Sequence, residues 1–135
     1  MDMNKLRVLV VDDNASDRMV TAAALKSLNV AAVQEAESIG RAKFKLATAH
    51  KIKQNFDLVI CDWEMPNGDG ILLLQHLRKD ERYEGMGLMI MTGSGEPSRV
   101  AEAIKNQAND FILKPIQLEK LQQKLEGFLR KSKDR

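Results

Sequence analysis

Short apolar runs recur along the chain at 6–11, 58–61, 88–91 and 111–113, with a weaker fifth at 30–33. Runs this short, bounded by Asp, Gly or Pro, read as buried strands. Helical spacing fills the gaps between them. Ala15, Met19, Ala22, Leu25 and Leu28 recur every three or four residues, as do Ile39, Ala42, Leu46 and Ala49. The clearest stripe is the last, with Leu118, Leu121, Leu125 and Phe128 on one predicted helix face. Residues 71–77 are nearly all apolar and fit a helix buried between neighbours. Pro97 suits the first turn of a weaker helix around Val100 and Ile104. Asn29 is placed to end the first helix in a left-handed conformation, and 49–55 reads as either a helix extension or a loop. This alternation of strand and helix predicts an α/β fold: a doubly wound parallel sheet of five strands, covered by five helices on its two faces.

In such a sheet, functional groups gather beyond the carboxyl ends of the strands. Asp12 and Asp13 follow the first predicted strand, Asp62 the third, Thr92 the fourth, and Lys114-Pro115 the fifth. Residues spread over more than a hundred positions therefore converge on one edge. Asp12, Asp13 and Asp62 bring −3 and Lys114 brings +1, leaving −2 in one pocket. Two like charges ~4 Å apart repel by about 4 kcal/mol at an effective dielectric of ~20. Such a cluster calls for raised carboxyl pKa values or a bound divalent cation. Oxygen ligands without His or a Cys pair favour Mg²⁺.

Composition narrows the picture further. The length of 135 residues fits one domain, and 44% apolar residues supply a core that must rest on aliphatic side chains and Met, since aromatics are only 4%. A net charge of +2 gives no case for nucleic acid or membrane binding. The basic residues Arg41, Lys43, Lys45, Lys51 and Lys53 read as a solvated helix face. Cys61 is the single cysteine, so no intramolecular disulfide forms. No apolar run is long enough to span a bilayer and the first residues lack a signal-peptide pattern, so a cytoplasmic protein is expected. Taken singly, the motif residues have ordinary uses. Asp13 or Asn14 could cap a helix, Thr92 could close a turn, and Trp63 reads as a surface or rim aromatic. His50 and His76 fall outside the motifs.

The segments Val8-Leu9-Val10-Val11-Asp12-Asp13-Asn14, Cys61-Asp62-Trp63-Glu64-Met65-Pro66-Asn67-Gly68-Asp69-Gly70, Met91-Thr92-Gly93 and Lys114-Pro115 together resemble the response-regulator receiver family, single-domain chemotaxis-type receivers above all. The resemblance covers about residues 5–131 and treats 1–135 as a single receiver domain. It implies the flavodoxin-like strand order 2-1-3-4-5. It implies that Asp62 accepts a phosphoryl group from a histidine kinase or histidine phosphotransfer protein. Asp13 would ligate Mg²⁺ directly, Asp12 largely through water, and the Glu64 backbone carbonyl and Asp62 would complete the protein's ligands. Lys114 would pair with Asp62, Thr92 would donate to the phosphoryl group, and Phe111 would hold the switch position beside Thr92. The Lys114-Pro115 bond is expected cis, and Glu64 and Ser94 would flank the path of hydrolytic water. Phe111 stands where a Tyr is common, and Gln107 where a Gly is common. Output would pass through an unidentified protein partner in chemotaxis, with a phosphorelay shuttle as the alternative. A phosphatase-like enzyme with an aspartyl nucleophile is the other class, and a receiver that binds partners without phosphorylation a third.

Overall fold

A computed structural model describes residues 2–65, 70–93 and 97–133, the side chains of 132 and 133 excepted. The chain runs β1 (Arg7–Val11), α1 (Ala15–Ser27), β2 (Ala32–Ala36), α2 (Ile39–Lys51), β3 (Leu58–Asp62), α3 (Gly70–Lys79), β4 (Gly87–Thr92), α4 (Pro97–Lys105), β5 (Asp110–Leu113) and α5 (Leu118–Lys133). Single 3₁₀ turns precede β1 and β4, at Met3–Lys5 and Glu81–Tyr83. The strands form one parallel sheet in the order β2-β1-β3-β4-β5.

Successive side chains on a strand point to opposite faces, and this alternation builds two apolar layers. Val8, Val10, Leu58, Ile60, Met89, Met91 and Ile112 pack with Leu25 of α1 and with Leu121, Leu125, Phe128 and Leu129 of α5. Leu9, Val11, Val59, Cys61, Leu88 and Ile90 pack on the other face with α2, α3 and Ala103 of α4. Both faces being covered explains why the central strands read as unbroken apolar runs. Every residue of β3 and β4 is buried.

The weak strand is displaced from its expected place. β2 occupies Ala32–Ala36, not 30–33, and includes Gln34 and Glu35. It is an edge strand, pairing only with β1, and is largely half-buried; an edge does not need the continuous apolar pattern of a central strand. Three predicted helix-face residues also turn outward. Met19 is 67% exposed; Ala22 and Leu25 of the expected stripe are buried, and Thr21 joins them. On α4, Ala103 is buried and Ile104 is exposed; on α5, Leu118 is exposed while Leu129 joins the core.

Helix ends follow local chemistry. Asn14 accepts a hydrogen bond from the Asp17 backbone N–H, and Ser38 one from that of Arg41, capping α1 and α2. Asn29 takes φ 64° after α1, as expected. The 49–55 segment is helical to Lys51 and then turns through Lys53 at φ 59°. Gln107 is also left-handed, φ 69°, where glycine would carry no Cβ penalty. Its carbonyl is held by Nε and Nη2 of Arg78, while Nη1 of Arg78 binds the Met86 carbonyl at 2.7 Å. That clamp fixes the turn without a glycine.

Gly87 opens β4 directly beneath α5. A Cβ there would lie 2.4 Å from Cε1 of Phe128. Gly87→Ala should therefore lower unfolding free energy by about 1–3 kcal/mol through overpacking. Urea denaturation checks this, and an unchanged midpoint would mean that α5 sits farther from the sheet.

Candidate functional site

The five motif residues meet at the carboxyl edge of the sheet. Asp12 follows β1, Asp62 ends β3 and Thr92 ends β4, and all three are buried. Asp13 is exposed beside them. One carboxylate oxygen from each of Asp12, Asp13 and Asp62 lies within 4.8 Å of the others. Lys114 reaches in from the end of β5, with its Nζ 3.0 Å from Oδ2 of Asp12 and 3.4 Å from Oδ2 of Asp62. The Lys114-Pro115 bond is cis.

Backbone contacts hold these groups in place. The Asp12 N–H donates to the Ala36 carbonyl at 3.1 Å, and Oδ1 of Asp12 accepts from the Asn14 N–H at 2.9 Å. Arg18 binds the Asp12 carbonyl at 2.9 Å and Glu35 of β2 at 3.2 Å, tying the β1 end to the neighbouring strand and to α1. The Trp63 N–H donates to the Met91 carbonyl at 2.8 Å, and the Lys114 N–H to the Thr92 carbonyl at 2.8 Å. Gly70 begins α3 so close that a Cβ would stand 2.8 Å from the Asp62 carbonyl oxygen. Trp63 is buried, 5% exposed, and packs in the core cluster that includes α3 rather than forming a rim. Phe111 is half-buried on β5 against the same cluster, with Nζ of Lys124 4.8 Å from its ring centre.

Three contacts were not foreseen from the sequence. Lys114 donates a second hydrogen bond, at 3.0 Å, to Asp17 in the first turn of α1. Arg18 braces Asp12, as above. Arg99 in the first turn of α4 forms an ion pair with the Glu64 side chain, linking that helix to the segment after β3. The spacing of Asp17, in the turn that Asn14 caps, was the only available signal for the first. Ser94 and residues 66–69 lie outside the described residues, as does 94–96 of the 93–97 loop. His50 and His76 flank Tyr83, with ring centres 6.4 and 5.9 Å away, at the amino end of the sheet.

The charges behave as a crowded acidic site should. Burial, reinforced by the charge of Asp12, pushes Asp62 up to about 6, against the opposing pull of Lys114 and of the Glu64 N–H. Burial works to lower the Lys114 ammonium, but hydrogen bonds to Asp12 and Asp17 and the charge of Asp62 outweigh it and raise it above its ordinary value. Three carboxylate oxygens that the single half-buried Lys114 ammonium only partly offsets form an all-oxygen donor set that fits a hard divalent ion such as Mg²⁺.

A parallel 2-1-3-4-5 sheet with an aspartate cluster, a hydroxyl and a lysine on its carboxyl edge defines a receiver-type α/β module. The model of the response regulator receiver domain matches residues 8–126, and the chain belongs to that family. It is 32% identical over 124 residues to a chemotaxis protein CheY homolog of Campylobacter jejuni, covering 92% of each chain. It is 30% identical over 126 residues to chemotaxis protein CheY-3 of Vibrio cholerae, again covering 92% of each. Among solved structures, the chemotaxis response regulator CheY4 of Vibrio cholerae superposes with a TM-score of 0.81 at 25% identity, over 92% of this chain and 98% of that one. A response regulator receiver protein from Pseudomonas putida gives 0.77 at 28% identity, over 91% and 97%. Receiver domains are phosphorylation-activated switches of two-component signalling rather than classical enzymes. Among the described residues, no helix is long and apolar enough to cross a membrane.

The raised Asp62 value has a stability consequence. Between its ordinary value of 3.8 and about 6, the unfolded chain ionises while the folded chain keeps its proton. Stability is therefore lost as pH rises through that window. In metal-free buffer, Asp62→Asn should be more stable than wild type by about 2–3 kcal/mol at pH ~8, and the gain should vanish near pH ~4. Chemical denaturation at the two pH values measures it; equal differences at both would refute the burial argument.

Proposed function

We propose that Asp62 is the phosphoacceptor of a single receiver domain whose folded core spans about residues 5–131. The observation that carries this reading is the buried Asp62 carboxylate held 3.4 Å from Lys114 and within 4.8 Å of two further carboxylates. Asp13 is the direct Mg²⁺ ligand in this reading, with Asp12 acting largely through water and the Glu64 backbone carbonyl and Asp62 completing the protein's ligands. When bound, Mg²⁺ supplies positive charge that offsets the aspartates and the incoming phosphoryl oxygens.

The chain's own groups do the rest. An oxygen of Asp62 attacks phosphorus in line, and the bond to the donor nitrogen breaks as the new acyl-phosphate bond forms. Asp12 and Asp62 hold Lys114 charged, so its ammonium is ready to meet a phosphoryl oxygen. Thr92, on the adjacent strand end, donates its hydroxyl to another. The donor is a histidine kinase or a histidine phosphotransfer protein, which places the chain in the cytoplasm. Hydrolysis later removes the group along a path beside Glu64; Ser94, the second residue assigned to this step, lies outside the described residues.

Movement of Thr92 and Lys114 toward the phosphoryl group pulls on the ends of β4 and β5, and Phe111 follows by ring packing alone because it has no hydroxyl. The surface formed by α4, β5 and α5 is then the output face for a downstream protein, where Ile104 and Leu113 are already exposed. A difference of a few kcal/mol between two states is enough for such a switch. The names of the similar proteins favour chemotaxis as the pathway.

Treating the chain with acetyl phosphate and Mg²⁺ should add one phosphoryl group by intact mass. Asp62→Asn should show no adduct, and the wild type should show none when the metal is chelated. Full labelling of Asp62→Asn would assign the acceptor elsewhere.

A further inference from the structure

Lys114 has three N–H donors, and in this structure three carboxylates surround them. Its two hydrogen bonds go to Asp12 and Asp17, each at 3.0 Å, while Asp62 stands farther away at 3.4 Å. The lysine is thus drawn toward α1 and away from the residue it must serve. Asp12 is fully buried and belongs to the acidic cluster, whereas the Asp17 side chain is 48% exposed and lies outside it. Water can replace Lys114 at Asp17 at small cost, but not at Asp12.

Asp17 is also held in position. Its backbone N–H donates to the Asn14 cap at 2.9 Å, and its carbonyl accepts from the Thr21 hydroxyl at 3.1 Å. The first turn of α1 therefore holds the Asp17 backbone in place, with its carboxylate in reach of the lysine.

We propose that Asp17 is a positioning residue that competes with a phosphoryl group on Asp62 for the Lys114 ammonium, and so weakens the phosphorylated arrangement. The proposal rests on the reading of Asp62 as phosphoacceptor. Two of the three Lys114 N–H groups are engaged by Asp12 and Asp17, so drawing the ammonium in from its place 3.4 Å from Asp62 onto a phosphoryl oxygen stretches one of those two contacts. Asp17 is the partner it leaves. Helix α1 then loses a tie to the end of β5, so the state of Asp62 is felt at the start of α1 as well as at the output face.

The test uses beryllofluoride as the phosphoryl mimic at saturating Mg²⁺, followed through the fluorescence of Trp63. Asp17→Asn removes the charge while keeping a side chain of the same shape. It should tighten beryllofluoride binding about two- to fivefold, the size expected for one exposed ion pair. The Lys114 ammonium signal in ¹⁵N NMR, recorded without beryllofluoride, should move in the same variant because the lysine has lost a partner. Unchanged or weaker binding would overturn the proposal. Tighter binding with an unmoved Lys114 signal would overturn it too, since the effect would then be long-range charge alone. A wild-type response that persists in Asp62→Asn would overturn the phosphoacceptor reading itself and this inference with it.

Discussion

Three aspartate oxygens within 4.8 Å of one another are an electrostatic conflict that the rest of the fold has to contain. Two ionised carboxylates ~5 Å apart repel by roughly 3 kcal/mol at an effective dielectric of ~20. Lys114 offsets part of this, and its cost of burial is met by the very carboxylates it neutralises. Asp62 is the carboxyl that yields: its burial, with the charge of Asp12 added, pushes it up to about 6. A site in this condition gains from any cation that enters it, and from any event that rearranges the lysine.

The sheet makes the conflict possible. Parallel strands bring every carboxyl end to one edge, so residues far apart in sequence arrive together. Two apolar layers, with α1 and α5 on one face and α2, α3 and α4 on the other, hold the strand ends rigidly enough for charges to be kept close. Bracing is local as well. Arg18 grips the Asp12 carbonyl from α1, and the close contact of Gly70 with the Asp62 carbonyl sets where α3 begins.

Much of this was legible from residue order. The central runs at 58–61 and 88–91 are buried on both faces, so hydrophobicity alone marks them. β2 starts two residues and ends three residues later than the apolar run 30–33, because an edge strand tolerates Gln34 and Glu35. Met19 and Ile104 fit a helical stripe but point to solvent, while Ala22, Leu25 and Ala103 on the same helices are buried. The site residues followed from the rule of strand ends. Asp17 and Arg99 did not, because both act from the first turn of a helix, and their targets depend on how that helix docks. A lone Trp next to a charged site suggests a rim residue, but the chain buries Trp63 beside Asp62.

The central claim is that the acidic cluster is balanced by one divalent cation. Calorimetric titration of Mg²⁺ into the intact chain tests it most directly, alongside Asp13→Ala. The account predicts a single saturable site in the wild type, with protons released on binding near pH ~6 because the metal displaces the proton of Asp62, and a marked loss of affinity in Asp13→Ala. No saturable binding, or binding of equal strength in Asp13→Ala, would contradict it.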